Sequence, residues 1–137
     1  MEGQIVITEL DYIRLSKLIG TARMEKSVEL KNLEVLANEI KRAKKINSKK
    51  ITPEFVTMNS VVKVFNKKTK QTMTVKIVYP KEADFKKSYV SVFSPLGSAL
   101  LGYKVGDSVL FEAPKAKVEI IIENIEYQPE ASGDFFV

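Results

Sequence analysis

The sequence predicts an α+β fold in which a short antiparallel helical hairpin precedes an antiparallel sheet of about five strands with one short helix. Apolar residues recur at helical spacing before residue 47, and the pattern changes to strict alternation after residue 53. The polar segment between these two regions ends in a proline. It predicts a boundary between a helical, coiled-coil-like region of residues 1–50 and a sheet domain of residues 51–137.

Two amphipathic segments predict the hairpin. Thr8 is a suitable N-cap for the first helix, and Gly20–Thr21 is expected to end it after about three turns. The apolar face of this helix consists of Tyr12, Leu15, Leu18 and Ile19. A second helix is predicted over about residues 28–44. Its seam residues recur at intervals of 3, 4 and 3 and are Leu30, Leu33, Ala37 and Ile40.

Five segments after residue 53 are typical of strands. They are residues 61–66, 72–79, 89–93, 107–111 and 117–123. Asn66 to Lys70 is the predicted hairpin connection between the first two, and Gln4 to Ile7 is a further short strand or an extended lead-in. Few of the connections are long enough for parallel crossovers, so the predicted sheet is antiparallel.

A short helix with both ends specified follows the third of these segments. Ser94 is a good N-cap, Pro95 suits the first helical position, and Gly102 suits the left-handed position just past the end. The residues before Gly102 supply an apolar face that must pack on the sheet, because so short a helix is unstable alone. In the turn that follows, Gly106 is expected at positive φ and Asp107 is expected to bond the local backbone.

The composition excludes several classes of site. The chain has no Cys and no His, which rules out Ser-His and Cys-His catalysis and removes the usual zinc ligands. No Gly-rich phosphate loop of the G-x-x-x-x-G-K-[ST] type is present. The apolar runs fall well short of the roughly 20 residues of a membrane span. Carboxylate, Lys or Tyr chemistry remains available for a general base. The lack of Cys fits a reducing cytoplasm. We expect a cytoplasmic protein, and with the resemblance given below we expect no catalytic residue, metal, cofactor, small-molecule substrate or membrane partner.

The net charge of +5 is unevenly placed. Residues 1–51 hold 11 Lys or Arg and 7 Asp or Glu, whereas residues 52–137 hold 11 and 10. The basic patch consists of Lys41, Arg42, Lys44, Lys45, Lys49 and Lys50. This patch is either a solvated helix end and linker or a weak, non-specific contact for nucleic acid or an acidic surface. No aromatic residue interleaves with it in the sequence, and Tyr79, Tyr89 and Phe93 are expected in the sheet core.

Four blocks carry a resemblance to a known family. They are Val56–Ser60, Val78–Pro80, Phe93–Gly102 and Tyr127–Asp134. Together they resemble the C-terminal domain of bacterial transcript-cleavage (Gre) factors, and more closely that of the related Rnk family, the regulators of nucleoside diphosphate kinase. The resemblance implies an FKBP-like domain preceded by an antiparallel helical hairpin.

The resemblance also implies a partner. Gre-type factors contact the largest subunit of RNA polymerase, at the rim of the secondary channel, through the turn that enters the short helix. Carried over, the polymerase-binding residues are Phe93, Ser94, Pro95, Leu96 and Gly97. The chain is then expected to be a non-catalytic transcription regulator that competes with Gre-type factors.

The predicted hairpin tip argues against transcript cleavage. Cleavage factors carry acidic tip residues that help to hold a catalytic Mg²⁺, since a hard cation prefers carboxylate oxygens. Here the tip residues are Arg23, Met24 and Glu25, and Glu25 is the one acid among residues 20–26. Three alternatives remain open: an active cleavage factor, a prolyl isomerase suggested by the FKBP-like fold alone, and a nucleic-acid binder that acts through the basic patch.

The C-terminal block also contains two acids, Glu130 and Asp134, at a spacing that would suit a carboxylate pair. We expect them to end the last strand and to stay solvated.

Overall fold

The computed structural model describes residues 5–26, 30–113 and 116–134. The helices are α1 (Glu9–Glu25), α2 (Leu30–Arg42) and α3 (Pro95–Leu100), and two 3-10 turns span Pro80–Glu82 and Phe85–Lys87. The strands are β1 (Val6–Thr8), β2 (Lys44–Ile46), β3 (Val61–Asn66), β4 (Gln71–Val78), β5 (Tyr89–Ser91), β6 (Ser108–Glu112) and β7 (Lys117–Tyr127). The α+β fold class is confirmed, with a helical N-terminal part followed by a five-stranded sheet.

The five-stranded sheet has the order β5-β4-β3-β7-β6. Its pairs are antiparallel with one exception, because β5 runs parallel to β4 with Lys76 opposite Tyr89. The prediction of a wholly antiparallel sheet was wrong at this edge. The 3-10 turns in the β4–β5 connection carry the chain back before β5 begins, so a segment of only ten residues between Val78 and Tyr89 makes a parallel neighbour.

The small N-terminal sheet connects the helices to the sheet domain. β1 pairs with β2 in parallel, and Val6 donates a backbone hydrogen bond of 3.0 Å to the Gly102 carbonyl. Gly102 lies at φ +86°, and a Cβ there would sit 2.9 Å from the Ile5 Cβ, so the end of α3 contacts the root of the hairpin closely. The basic segment 44–46 was expected as a helix end and linker, but it is a strand because its backbone completes this pair.

The first helix is longer than predicted. It continues through Gly20 to Glu25, and Lys26 ends it in the left-handed conformation at φ 53°. Its 17 residues span about 25 Å at 1.5 Å per residue. Ile19 and Ala22 on either side of Gly20 are buried, and this packing outweighs the low helix propensity of glycine. The second helix ends at Arg42, slightly before the predicted end.

Replacing Gly20 with alanine is expected to raise the free energy of unfolding by about 1 kcal/mol. The position lies inside α1, and a Cβ there would meet nothing within 4 Å. The gain comes from the lower conformational entropy of the unfolded chain. Urea unfolding followed by circular dichroism measures it; a lower midpoint for the variant would show that α1 does not continue through this residue.

The short helix α3 forms as predicted. The Ser94 hydroxyl accepts a hydrogen bond of 3.1 Å from the Gly97 amide and donates one of 2.6 Å to the Ser91 carbonyl. In the next turn Gly106 has φ +94°, and the Asp107 carboxylate accepts from the Lys104 amide at 3.0 Å. The apolar face of α3 closes the sheet core.

Candidate functional site: the α3 groove and the hairpin junction

The five predicted polymerase-binding residues are contiguous, but they differ in what they present. Phe93 and Gly97 are buried, Ser94 and Leu96 are half-buried, and Pro95 is exposed. Phe93 belongs to the core, as expected for the sheet aromatics. The part of this segment that is open to a partner is therefore the outer face of the first turn of α3.

Gly97 allows α3 to lie directly against the end of β5. A Cβ at this position would overlap the Ser91 carbonyl oxygen and would lie 3.0 Å from the Val92 Cα. Both are backbone atoms, which cannot move aside as a flexible side chain would. The glycine thus fixes the depth at which Pro95 and Leu96 are presented.

An open groove of about 1270 Å³ lies beside α3, with α2 on one side and β6 on the other. Pro95 and Ala99 line it from α3, Val35 from α2 and Leu110 from β6. Val35 is 47% exposed and Leu110 is 63% exposed. The strand β6 is the last strand of the sheet, and all of its residues, Ser108–Glu112, line the groove. The groove combines exposed apolar side chains with an unpaired strand edge among the described residues.

Charged contacts span the groove and connect α2 to the sheet domain. The Lys31 ammonium lies 2.8 Å from the Glu112 carboxylate, and this hydrogen bond holds the pKa of Glu112 below its usual value. Arg42 donates to the Tyr103 hydroxyl at 3.0 Å and pairs with Glu39 at 2.7 Å. The Lys31–Glu112 pair is exposed and contributes little to stability. Together with the Arg42–Tyr103 hydrogen bond, it links α2 to the sheet domain across the groove.

The predicted tip residues lie in the last turn of α1. Met24 is 86% exposed, Glu25 is also exposed, and Arg23 pairs with Glu34 of α2 at 2.9 Å. Within the ranges that the structure describes, no three His, Cys, Asp or Glu side chains are grouped closely enough to hold a metal ion. The helix end expected at Gly20–Thr21 was wrong, since α1 continues to Glu25; the assignment of Arg23, Met24 and Glu25 to the hairpin tip stays a prediction.

The residues of the basic patch differ in the contacts that their side chains make. Lys45 lies 4.7 Å from the centre of the Tyr12 ring and donates to the Lys41 carbonyl at 2.6 Å. Arg42 is held on the groove side, as described above. The remaining members are exposed ammonium groups, namely Lys41, Lys44, Lys49 and Lys50. An aromatic ring does pair with this patch, and the linear sequence could not show it because Tyr12 lies on α1.

A buried polar junction joins α1 to the sheet domain. Asp11 is 4% exposed, and its carboxylate accepts a hydrogen bond of 3.1 Å from the Met58 amide. Its own amide donates to the Thr8 hydroxyl, which caps the helix as predicted. On the other side, the Thr57 hydroxyl donates to the Glu130 carboxylate at 2.7 Å. The expectation that Glu130 stays solvated was wrong, because its block folds back onto the segment before β3.

Two groups at this junction, Asp11 and the nearby Tyr79, have raised pKa values. Burial raises the pKa of Asp11 to about 6, and the Glu130 charge adds to the rise while the Met58 amide and Arg14 oppose it. Burial likewise raises the pKa of Tyr79 to about 12, with a further contribution from Asp11. Sequence reasoning missed this junction because Asp11 has the position of an ordinary first-turn acid.

The remainder of the C-terminal block is held by local hydrogen bonds. The Gln128 side chain donates to the Thr52 and Phe55 carbonyls at 2.8 Å each. The exposed Asp134 carboxylate accepts from the Tyr127 hydroxyl, which raises the pKa of Tyr127. These contacts fix the chain that follows β7 against the segment that precedes β3.

The comparisons with known proteins divide the chain in two. The family described as transcription elongation factor, GreA/GreB, C-term matches residues 51–127, and the Rnk N-terminus matches residues 4–44. The sheet domain is thus a GreA/GreB-type C-terminal domain.

Individual relatives support the same assignment. The regulator of nucleoside diphosphate kinase from Escherichia coli is 33% identical over 97% of this chain and 96% of that protein. A GreA/GreB elongation factor structure from Nitrosomonas europaea is 30% identical, with a TM-score of 0.74 over 90% of this chain and 100% of that one. Because the likeness to the Escherichia coli protein spans nearly the whole length of both chains, this chain belongs to the Rnk family of Gre-related regulators.

The relation to GreA itself is partial. The factor from Amoebophilus asiaticus is 39% identical over 85 residues, which are 62% of this chain and 54% of that protein. This chain therefore matches about half the length of that relative. No helix in the described ranges is long and apolar enough to cross a membrane.

Proposed function

We propose that this protein is a non-catalytic transcription regulator that binds RNA polymerase and competes there with Gre-type factors. The partner surface on the enzyme is the largest subunit at the rim of the secondary channel. On this chain, the binding surface is the outer face of α3 together with the adjoining groove. The single observation that supports it best is the exposed apolar set of Val35, Pro95 and Leu110 around that groove.

The helix α3 is held rigidly on the sheet domain. Pro95 has a fixed φ, Ser94 caps the helix, and Gly97 seats it on backbone atoms. A surface that is already ordered loses little conformational entropy on binding. Apolar side chains flanked by the Lys31–Glu112 pair also match the usual pattern of an apolar interface centre with a charged rim.

The hairpin favours binding without catalysis. With α1 only about 25 Å long, a protein held at a channel rim reaches a limited distance inward. The sequence also has no two adjacent acids between residues 20 and 33. Divalent cations are bound most strongly where several carboxylates converge. A factor of this kind would occupy the channel entrance and exclude longer hairpins.

The test is the affinity of a fluorescently labelled protein for core RNA polymerase, with the double variant Pro95→Glu and Leu110→Glu. We expect the variant to bind at least about tenfold more weakly, because two charges would be buried against the partner. The fold should be retained, since an acid is favourable in the first turn of a helix and Leu110 is exposed on an edge strand.

Met73→Glu is the matched control, because Met73 is a half-exposed apolar residue on β4 outside the groove lining. Equal binding by the double variant and the control would exclude the groove, and absence of binding by the wild type would exclude the proposal altogether. A stalled elongation complex with labelled RNA separates the alternative function. Shortening of the transcript on addition of the protein would show an active cleavage factor.

A further inference from the structure

A rigid basic-aromatic loop lies at the edge of the sheet formed by β5. We call residues 84–89 the Phe85 loop. Asp84 and Tyr89 exchange two backbone hydrogen bonds of 3.0 Å, which close the loop. The Asp84 carboxylate accepts from the Lys86 amide at 3.0 Å, and Ser88 takes a left-handed conformation at φ 60°. These local constraints, together with a hydrogen bond of 3.0 Å from the Lys76 amide to the Ser88 carbonyl, hold the loop in one shape at the edge of the sheet.

Phe85 projects from this loop into solvent. Its side chain is 88% exposed, although it belongs to a residue type that is usually buried. It begins the 3-10 turn Phe85–Lys87 directly after the capping residue, so its backbone is fixed. A rigid aromatic ring open to solvent is suited to stacking on another planar group.

Lysine ammonium groups are gathered beside the same loop. The Lys76 and Lys87 ammonium groups lie 5.0 Å and 5.8 Å from the centre of the Tyr89 ring. The ring attracts both cations and limits their freedom, so they are arranged before any ligand arrives. Tyr89, which was expected in the core, is half-buried and positions these charges.

The charge of the surroundings is positive. Residues 76–89 contain four lysines and two acids, Glu82 and Asp84. The Asp84 carboxylate is already engaged as the cap of the turn. Lys86 and Lys87 are exposed and follow Phe85 directly. Phe85, Lys86 and Lys87 thus form one exposed 3-10 turn that carries an aromatic ring and two ammonium groups.

We propose that the Phe85 loop binds single-stranded RNA, with a base stacked on Phe85 and phosphates paired with Lys76, Lys86 and Lys87. Lysines alone attract any polyanion, but an exposed ring that interleaves with them favours unpaired bases over an acidic protein surface. Among single strands, RNA is the one that a transcription regulator would meet, so the choice of RNA rests on the proposed function. The Phe85 loop shares no residue with the groove, so variants of the loop and of the groove test RNA binding and polymerase binding separately.

Fluorescence anisotropy with a labelled, unstructured RNA of about 12 nucleotides tests the proposal. Phe85→Ala is expected to weaken binding about tenfold, whereas Phe85→Tyr retains it because the stacking ring remains. The Lys86→Gln, Lys87→Gln double variant should also bind more weakly. For this variant, the negative slope of log affinity against log salt concentration should become shallower by about 1.4, since two phosphate contacts are lost.

Two controls match these changes. Met73→Ala removes a half-exposed apolar side chain elsewhere, and the Lys68→Gln, Lys70→Gln pair removes the same charge from the exposed connection between β3 and β4. Both should leave affinity within about twofold of wild type. Thermal unfolding monitored by circular dichroism confirms that each variant is folded.

Three different outcomes would contradict the proposal. Wild-type binding weaker than about 100 μM at low salt would exclude an RNA site. Equal losses from the two lysine pairs, with no effect of Phe85→Ala, would show non-specific charge attraction only. Binding of a poly-glutamate peptide as tight as that of RNA would show instead a surface for an acidic protein.

Discussion

Replacing Gly97 with alanine is expected to lower the free energy of unfolding by about 3 kcal/mol, which is at the upper end of the usual effect of overpacking. The added Cβ would overlap the Ser91 carbonyl oxygen and press on the Val92 Cα. Relief requires α3 to move away from β5, and that movement would also strain the Ser94 cap. Urea unfolding measured by circular dichroism gives the change in stability.

The same substitution at Gly20 is the matched control, because a Cβ there meets no atom within 4 Å and the variant should be more stable than wild type. Opposite signs at the two glycines would attribute the loss at Gly97 to packing, not to removal of glycine as such. An unchanged midpoint for Gly97→Ala would contradict the close approach of α3 to β5. If the groove binds polymerase, Gly97→Ala should weaken that binding under conditions where the variant remains folded.

The ends of α3 could be predicted from the sequence because helix capping is local. Ser94, Pro95 and Gly102 act on backbone groups within a few residues of themselves. The close contact at Gly97 could not be predicted in the same way. It depends on where the end of β5 lies relative to the helix, and that position is set by the pairing of β5 with β4.

The prediction errors at α1 and β2 also come from tertiary contacts that the sequence does not show. Gly20 was expected to end α1, but the packing of Ile19 and Ala22 against α2 continues the helix. The strand β2 carries polar residues and no alternating pattern, so only its pairing with β1 identifies it. Local propensity is a weak guide wherever a tertiary contact is available to outweigh it.

The two candidate sites differ in how much of each could be predicted from the sequence. The α3 segment could be predicted because its residues are contiguous, whereas Val35 and Leu110 join the groove from two other elements. The Phe85 loop was missed as a unit because Lys76 comes from β4 and meets Tyr89 only through the sheet register.

The buried Asp11 carboxylate is expected to make the protein less stable as the pH rises from about 4 to about 7. Its pKa is about 6 in the folded protein and ordinarily 3.8, so the folded state holds the proton more tightly than the unfolded state. The stabilising contribution is therefore complete below pH 3.8 and is lost as the pH rises through about 6. The interval between these two values corresponds to about 3 kcal/mol, at 1.36 kcal/mol for each pH unit.

Asp11→Asn isolates this contribution, because asparagine keeps an oxygen that can accept from the Met58 amide but carries no charge. The free energy of unfolding of the wild type minus that of the variant should fall by about 3 kcal/mol between about pH 3.5 and about pH 7.5. Ser16→Ala, an exposed change on the same helix that removes no titratable group, should leave the pH dependence of wild type unchanged over this range. A pH-independent difference for Asp11→Asn would mean that Arg14 and the Met58 amide offset the burial of the charge in full. Ionisation of Asp11 at the junction between α1 and the sheet domain would then not lower the free energy of unfolding at neutral pH.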